Sequence, residues 1–114
     1  MRLSFVLVTF PFDDLSSAKV RPALCLTAPI GPYRHITVAF VTSRTSGPEP
    51  LGSDLLLLPS EPQFALTGLR AASRVCLHRM LTVPQSVMVR VLGRLPAYRE
   101  RELYDKIKAL FEVS

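Results

Sequence analysis

A chain of 114 residues leaves room for one domain and little for two. With 48% hydrophobic residues it can build a core, which excludes general disorder. Its formal charge of +5 favours an anionic partner, nucleic acid or an acidic protein segment, and no stretch approaches the roughly 20 apolar residues that span a bilayer.

Residues 5–10, rich in Val and Phe, predict a first strand that Pro11 ends. Arg2 and this short apolar run do not read as a secretory signal, because the run stops at Pro11 and two aspartates without a small-residue cleavage site. Residues 11–19 carry turn formers and charge and predict a loop. Asp13 and Asp14, beside Ser16 and Ser17, read there as a turn with side-chain hydrogen bonds rather than a metal site. Lys19-Val20-Arg21-Pro22 reads as the end of this loop, and residues 23–27 as the second strand. A turn at 28–32 leads to a third strand over 35–42, with Ile36, Val38 and Phe40 on one face. Residues 43–52 are a loop, and 55–58 a short apolar strand closed by Pro59 and Pro62.

Residues 69–72 suggest a brief extended piece. Residues 74–79 alternate, with Val75 and Leu77 on one side and Arg74, Cys76 and His78 on the other. Val87, Val89 and Val91 alternate again, and Gly93 is expected to end that strand. The period then becomes helical. Leu103, Tyr104, Ile107, Leu110 and Phe111 form a stripe expected to cover the sheet, with Pro96 in the first turn and Glu100 and Glu102 near the positive end of the dipole. Arg99, Arg101, Lys106 and Lys108 are read as its solvated face. Cys25 and Cys76 lie far apart in apolar runs, which predicts two buried free thiols rather than a zinc site. About six short strands in succession, then one helix, predict a mainly β, antiparallel, small curled barrel with the helix packed on it, as one domain over residues 1–114.

Five motifs in this order cover nearly the whole chain: Phe10-Pro11-Phe12-Asp13-Asp14-Leu15, Lys19-Val20-Arg21-Pro22-Ala23-Leu24, Val41-Thr42-Ser43, Gly68-Leu69 with Ser73 and Val75, and Leu92-Gly93-Arg94-Leu95. Together they resemble the PemK/MazF-type toxins of bacterial toxin–antitoxin systems. That resemblance implies an SH3-like, CcdB/PemK-type barrel that forms a homodimer in the cytoplasm. It implies cofactor-free, metal-independent endoribonuclease activity on single-stranded RNA (an mRNA interferase), leaving a 2′,3′-cyclic phosphate and a 5′-hydroxyl. It also implies a cognate antitoxin with an extended acidic tail. The arginine of the Arg-Pro motif and the threonine after the third strand, catalytic in the family, map onto Arg21 and Thr42.

The chemistry suits these residues. Negative charge develops on phosphoryl oxygens when a 2′-hydroxyl attacks the adjacent phosphorus, and preorganised donors stabilise it. Arg21 supplies a planar, permanently charged fork, Thr42 and Ser43 supply hydroxyls, and Pro22 restricts Arg21 to extended backbone. Arginine is a poor base; of the two histidines, His35 and His78, the latter is the candidate general base. Ser73 stands where some family members carry an acid, and Ser4-Phe5 where the family often has Gly-Asp. Arg70, Arg74, Arg79, Arg90 and Arg94 are either a basic face along RNA or ordinary surface charge, with Arg70 and Arg74 the stronger candidates. The candidate RNA contacts are thus Phe12, Lys19, Arg44, Arg70, Ser73 and Arg74. Phe12 alternatively packs in the core, Arg44 is alternatively a solvated loop residue, and Tyr33 is a further loop aromatic able to stack on a base. Two other classes stay open: a non-catalytic protein-binding module, gyrase-poison-like or other, and a DNA-binding regulator, for which no helix-turn-helix is readable.

Overall fold

The computed structural model describes residues 1–10, 19–43 and 49–112; Phe12, Asp13, Asp14, Ser16, Ser17 and Arg44 lie outside them. The described residues form strands β1 (Ser4–Phe10), β2 (Lys19–Cys25), β3 (His35–Thr42), β4 (Asp54–Leu57), β5 (Ser73–Pro84) and β6 (Met88–Arg94), followed by helix α1 (Glu100–Leu110). One antiparallel sheet orders them β4-β5-β3-β2-β1-β6. The mainly β architecture with a C-terminal helix is as the sequence predicts. The barrel is not closed by hydrogen bonds: the ladder begins at β4 and ends at β6.

The strands divide their side chains between two apolar clusters. Phe5, Leu24, Ala39, Val41, Val75 and Leu77 meet Leu55, Leu57 and Leu103 on one face. Val6, Val8, Ala23, Cys25, Ile36, Val38 and Val83 fill the other. The two-residue period along β1, β2 and β3 sends neighbours to opposite faces. Helix α1 covers the first cluster with a narrower stripe than predicted. Leu103 is fully buried, and Ile107 and Leu110 pack beside it. Tyr104 and Phe111 lie off this line and are exposed. The Tyr104 hydroxyl instead meets the guanidinium of Arg2. Pro96 is extended and precedes a single 3-10 turn, Ala97–Arg99, rather than sitting in the helix. Arg99, predicted to be solvated, is a clamp. Its guanidinium lies 2.6 Å from Glu61 and 2.9 Å from Glu102 and donates to the Leu56 carbonyl at 2.8 Å.

Several strand boundaries depart from the sequence reading, β4 by one residue at each end and β2, β5 and β6 more informatively. β2 starts at Lys19 rather than residue 23, because residues 19–22 pair with β1 and with no other described strand, Pro22 opposite Leu7. Its pairing with β3 covers only Ala23–Cys25. Pro22 has no N–H to offer, so the β2–β3 ladder stops there and the two strands part. β5 is twelve residues long. Its partners jump from Met80, opposite Ala39, to Cys76, opposite Phe40, so Leu77, His78 and Arg79 form a bulge. Residues 69–72 belong to no strand, whereas β6 runs through Gly93 to Arg94.

Gly93 is not a strand terminator but a contact point. A Cβ on it would meet the Leu66 carbonyl oxygen at 2.1 Å, and one on Gly68 the Leu92 carbonyl oxygen at 2.1 Å. Gly68 also has φ +71°, the left-handed region that glycine adopts without strain. The 3-10 turn Phe64–Thr67 therefore lies backbone to backbone against β6. Gly93→Ala is expected to destabilise the fold by at least about 1–3 kcal/mol, the usual range for overpacking. Urea unfolding of the variant beside wild type measures this; an unchanged midpoint would show that the contact can relax.

Candidate functional site

A cleft of about 640 Å³ opens where β2 and β3 part. Arg21 and Pro22 line it from β2, and Val41, Thr42 and Ser43 from the end of β3. Gly68, Leu69, Arg70 and Ala71 contribute a loop wall, with Ser73 from the start of β5. Leu7 of β1 and Arg90 and Leu92 of β6 complete the lining. Among the described lining residues the ionisable side chains are the three arginines, Arg21, Arg70 and Arg90. Three permanent cations over leucine, valine and proline walls, with no carboxylate among the described lining residues, make an anion-attracting concavity.

The loop wall is held by side chains that bond the backbone. Thr67 is fully buried; its hydroxyl donates to the Phe64 carbonyl at 2.7 Å and accepts from the Leu69 N–H at 3.1 Å. The Ser73 hydroxyl donates to the Ala71 carbonyl at 2.9 Å. These bonds bracket Arg70, and the Gly68–Leu92 contact presses the same loop onto β6.

Five of the residues singled out from the sequence meet here: Arg21, Thr42, Ser43, Arg70 and Ser73. Three described ones do not line the cleft. Lys19 is exposed at the start of β2. Arg74 is half-buried and lies 3.7 Å from the buried carboxylate of Asp54, which also accepts from the Leu51 N–H. His78 is exposed on the β5 bulge, four residues beyond Arg74, on the order of 10 Å along a strand. Phe12 and Arg44 fall outside the described residues. Tyr33 is exposed in the turn between β2 and β3, at the far end of those strands from Arg21 and Thr42.

Sequence reasoning ranked Arg90 low, quoted Leu92 only within a family motif and missed Leu7 and Thr67. The places of Leu7, Arg90 and Leu92 depend on strand register, for which the signals present were the Val89-Arg90-Val91 alternation and the Gly93 motif; Thr67 sits in the 3-10 turn before Gly68. Both cysteines are free and buried, as predicted, and neither lines the cleft. Burial pushes both thiols above their ordinary range, with the carboxylate of Asp54 adding to the effect on Cys76.

The family model for the PemK-like, MazF-like toxin of type II toxin–antitoxin systems matches residues 1–111. The chain belongs to that family. Its fold is similar to that of the Mycobacterium tuberculosis toxin MazF-mt6, at 24% identity and TM-score 0.71, covering 97% of this chain and 98% of that one. An Mtb toxin is 28% identical over 78% of this chain and 90% of its own, with TM-score 0.59. An endoribonuclease from a mycobacterial species, solved in complex with its cognate antitoxin, shares the fold at 12% identity and TM-score 0.69, covering 100% of this chain and 96% of that one. No protein with a curated description matches. No helix of the described residues is long and apolar enough to cross a membrane.

Thr67→Val keeps the side-chain shape but strips the loop of both hydroxyl bonds. It is expected to cost about 1–3 kcal/mol and to speed hydrogen exchange at the Leu69 amide, whose bond is lost. Exchange at Leu69 as slow as in wild type would mean that the glycine contact alone holds the wall.

Proposed function

We propose that the chain is the toxin of a type II toxin–antitoxin pair and acts as a sequence-preferring endoribonuclease on single-stranded RNA without a metal ion. The observation that carries this reading is the meeting of Arg21 with the sequence-distant pair Thr42 and Ser43 at one cationic cleft. The structural neighbour named as an endoribonuclease with its cognate antitoxin supports it, at an identity that speaks to fold.

In the proposed reaction the substrate supplies its own nucleophile. The ribose 2′-oxygen bonds to the adjacent phosphorus and the bond to the 5′-oxygen breaks, giving a 2′,3′-cyclic phosphate and a 5′-hydroxyl. Solvent takes the proton from the 2′-hydroxyl and returns one to the leaving oxygen. The protein's part is to hold the phosphate and stabilise charge on its non-bridging oxygens. Arg21 does this through paired N–H donors, and Thr42 and Ser43 through hydroxyls. Ser73, tied to Ala71, shapes the wall rather than acting on a proton. His78 has no part in this scheme, since it is not among the lining residues. The same cations would accept an acidic, extended antitoxin tail, which would then compete with RNA. A homodimeric, cytoplasmic toxin completes the reading.

Purified protein incubated with long single-stranded RNA in EDTA is expected to cleave it and leave cyclic phosphate ends. Arg21→Ala should lower kcat by about 10²–10³-fold at unchanged melting temperature, as removal of a charge-stabilising donor does. His78→Ala should stay within about threefold of wild type, where loss of a general base would cost about 10²–10⁴-fold. A folded wild type that cleaves no RNA would point instead to a non-catalytic module acting through protein contacts.

A further inference from the structure

Arg90 stands between two irregularities of β6. The register with β1 runs Phe5 to Gly93, Val6 to Val91, Leu7 to Arg90 and Val8 to Met88, so Leu92 and Val89 are each an extra residue on β6. Such bulges re-aim side chains relative to a regular pleat. Here they leave Arg90 opposite Leu7, and Leu7 is opposite Pro22 on its other side. Directly paired residues share a face, and all three line the cleft. Leu7 is therefore an apolar floor between Pro22 and Arg90; Arg21 pairs with Val8, so it joins the cleft not through this shared face but as a lining residue beside Pro22. β1 lies between β2 and β6, so two strand spacings, about 10 Å, separate the backbones that carry Arg21 and Arg90.

Arg70 belongs to the same side. Its loop is pressed onto β6 through Gly68 and Gly93, so Arg70 and Arg90 stand on one joined unit. Among the described residues neither takes part in a salt bridge. Two exposed guanidinium groups on a common wall, with no carboxylate partner among the described residues, can grip one anion between them. A cleft of about 640 Å³ suits a short piece of chain, since pockets of roughly 300–1,000 Å³ enclose small ligands.

We propose that Arg90, with Arg70 beside it, forms a second phosphate subsite, and that the cleft holds one nucleotide over Leu7 between this phosphate and the one at Arg21. The identity of the Arg21 phosphate as the scissile one rests on the nuclease reading above; the second subsite does not. A substrate must then carry a phosphate beyond the scissile one, and a dinucleoside monophosphate is a poor substrate.

The test uses a mixed-sequence, fully 2′-O-methylated RNA oligonucleotide, which cannot be cleaved because its attacking hydroxyl is blocked. Its affinity is measured by fluorescence anisotropy over a range of salt concentrations for wild type, Arg90→Ala, Arg90→Lys and Arg101→Ala. Arg101, on α1 outside the cleft, is the control for net charge. Arg90→Ala is expected to weaken binding about five- to tenfold and to reduce the slope of log affinity against log salt by about 0.7, the value for one single-strand phosphate contact. Arg90→Lys should restore the slope, and Arg101→Ala should leave it unchanged. Should Arg90→Ala fail to fold, Arg90→Gln carries the same comparison. Wild-type affinity and slope in the neutral variant, or an equal loss in Arg101→Ala, overturn the subsite. A wild type that binds this RNA through Arg90 but cleaves no natural RNA sinks the nuclease reading and leaves the subsite standing. A wild type that cleaves but is indifferent to Arg90 does the reverse, and one that binds no RNA removes both.

Discussion

The backbone of residues 66–68 lies so close to that of residues 92–93 that neither Gly68 nor Gly93 has space for a side chain. The sheet's hydrogen bonds run from β4 to β6 and stop, so its two ends need another means of closure. The 3-10 turn after β4 supplies it by resting on the edge strand β6. This contact is tighter than side-chain packing would allow, and it brings with it everything attached to either partner. Leu69, Arg70 and Ala71 follow Gly68 and become the wall of the cleft, and Arg90 and Leu92 precede Gly93 and become its far side. The glycines thus act on the site without touching a ligand: they set the distance between two cationic elements.

Pro22 makes the opposite move at the other side of the cleft. A residue with an N–H there would allow the β2–β3 ladder to continue toward Thr42. The ring removes that bond, pairing ends at Ala23, and the strands diverge. β1 still pairs with β2 through Lys19, so the strand carrying Arg21 stays ordered although its other edge pairs with no described strand there. An opening bounded by well-paired backbone is a better mount for a charged side chain than a loop would be. The rigid proline beside the arginine therefore does more than restrict a dihedral angle: it ends a ladder and so creates the space that the arginine borders.

Much of this fold was legible because it rests on local patterns. The two-residue alternation in β1 and β3, the change to helical period at Leu103, and the burial of both cysteines follow from side-chain chemistry within a few positions. The convergence of Arg21, Thr42 and Ser43 was legible through the order of motifs that resemble a family. What was missed depends on register. Nothing in the Val89-Arg90-Val91 alternation says that β6 carries two bulges or that Arg90 pairs with Leu7. His78 looked like a neighbour of Arg74 on a regular strand, but a three-residue bulge separates the two halves of β5. Arg99 looked solvated because Glu61, its strongest partner, is 38 residues away. Tyr104 and Phe111 fit the helical period, but the face available to α1 was only one ridge wide.

The composition of the cleft also bears on why guanidinium and hydroxyl groups suffice for the proposed chemistry. RNA carries its nucleophile on the ribose, so a protein that cleaves it need not provide one. What remains is to align the 2′-oxygen with the phosphorus and to stabilise charge as it gathers on the phosphoryl oxygens. Fixed arginines flanking a nucleotide serve both ends, because gripping the neighbouring phosphate restricts the sugar between them. Apolar walls strengthen this by lowering the local dielectric around the charges. The same design gives the cleft a described ionisable lining that is wholly cationic, on a chain of net charge +5. An acidic extended segment answers that field more directly than a neutral one, since it can occupy the phosphate positions without presenting a bond to break. In the proposed reading, catalysis and inhibition draw on one set of charges, so a substitution at Arg21, Arg70 or Arg90 that weakens RNA binding would weaken the inhibitor's hold as well.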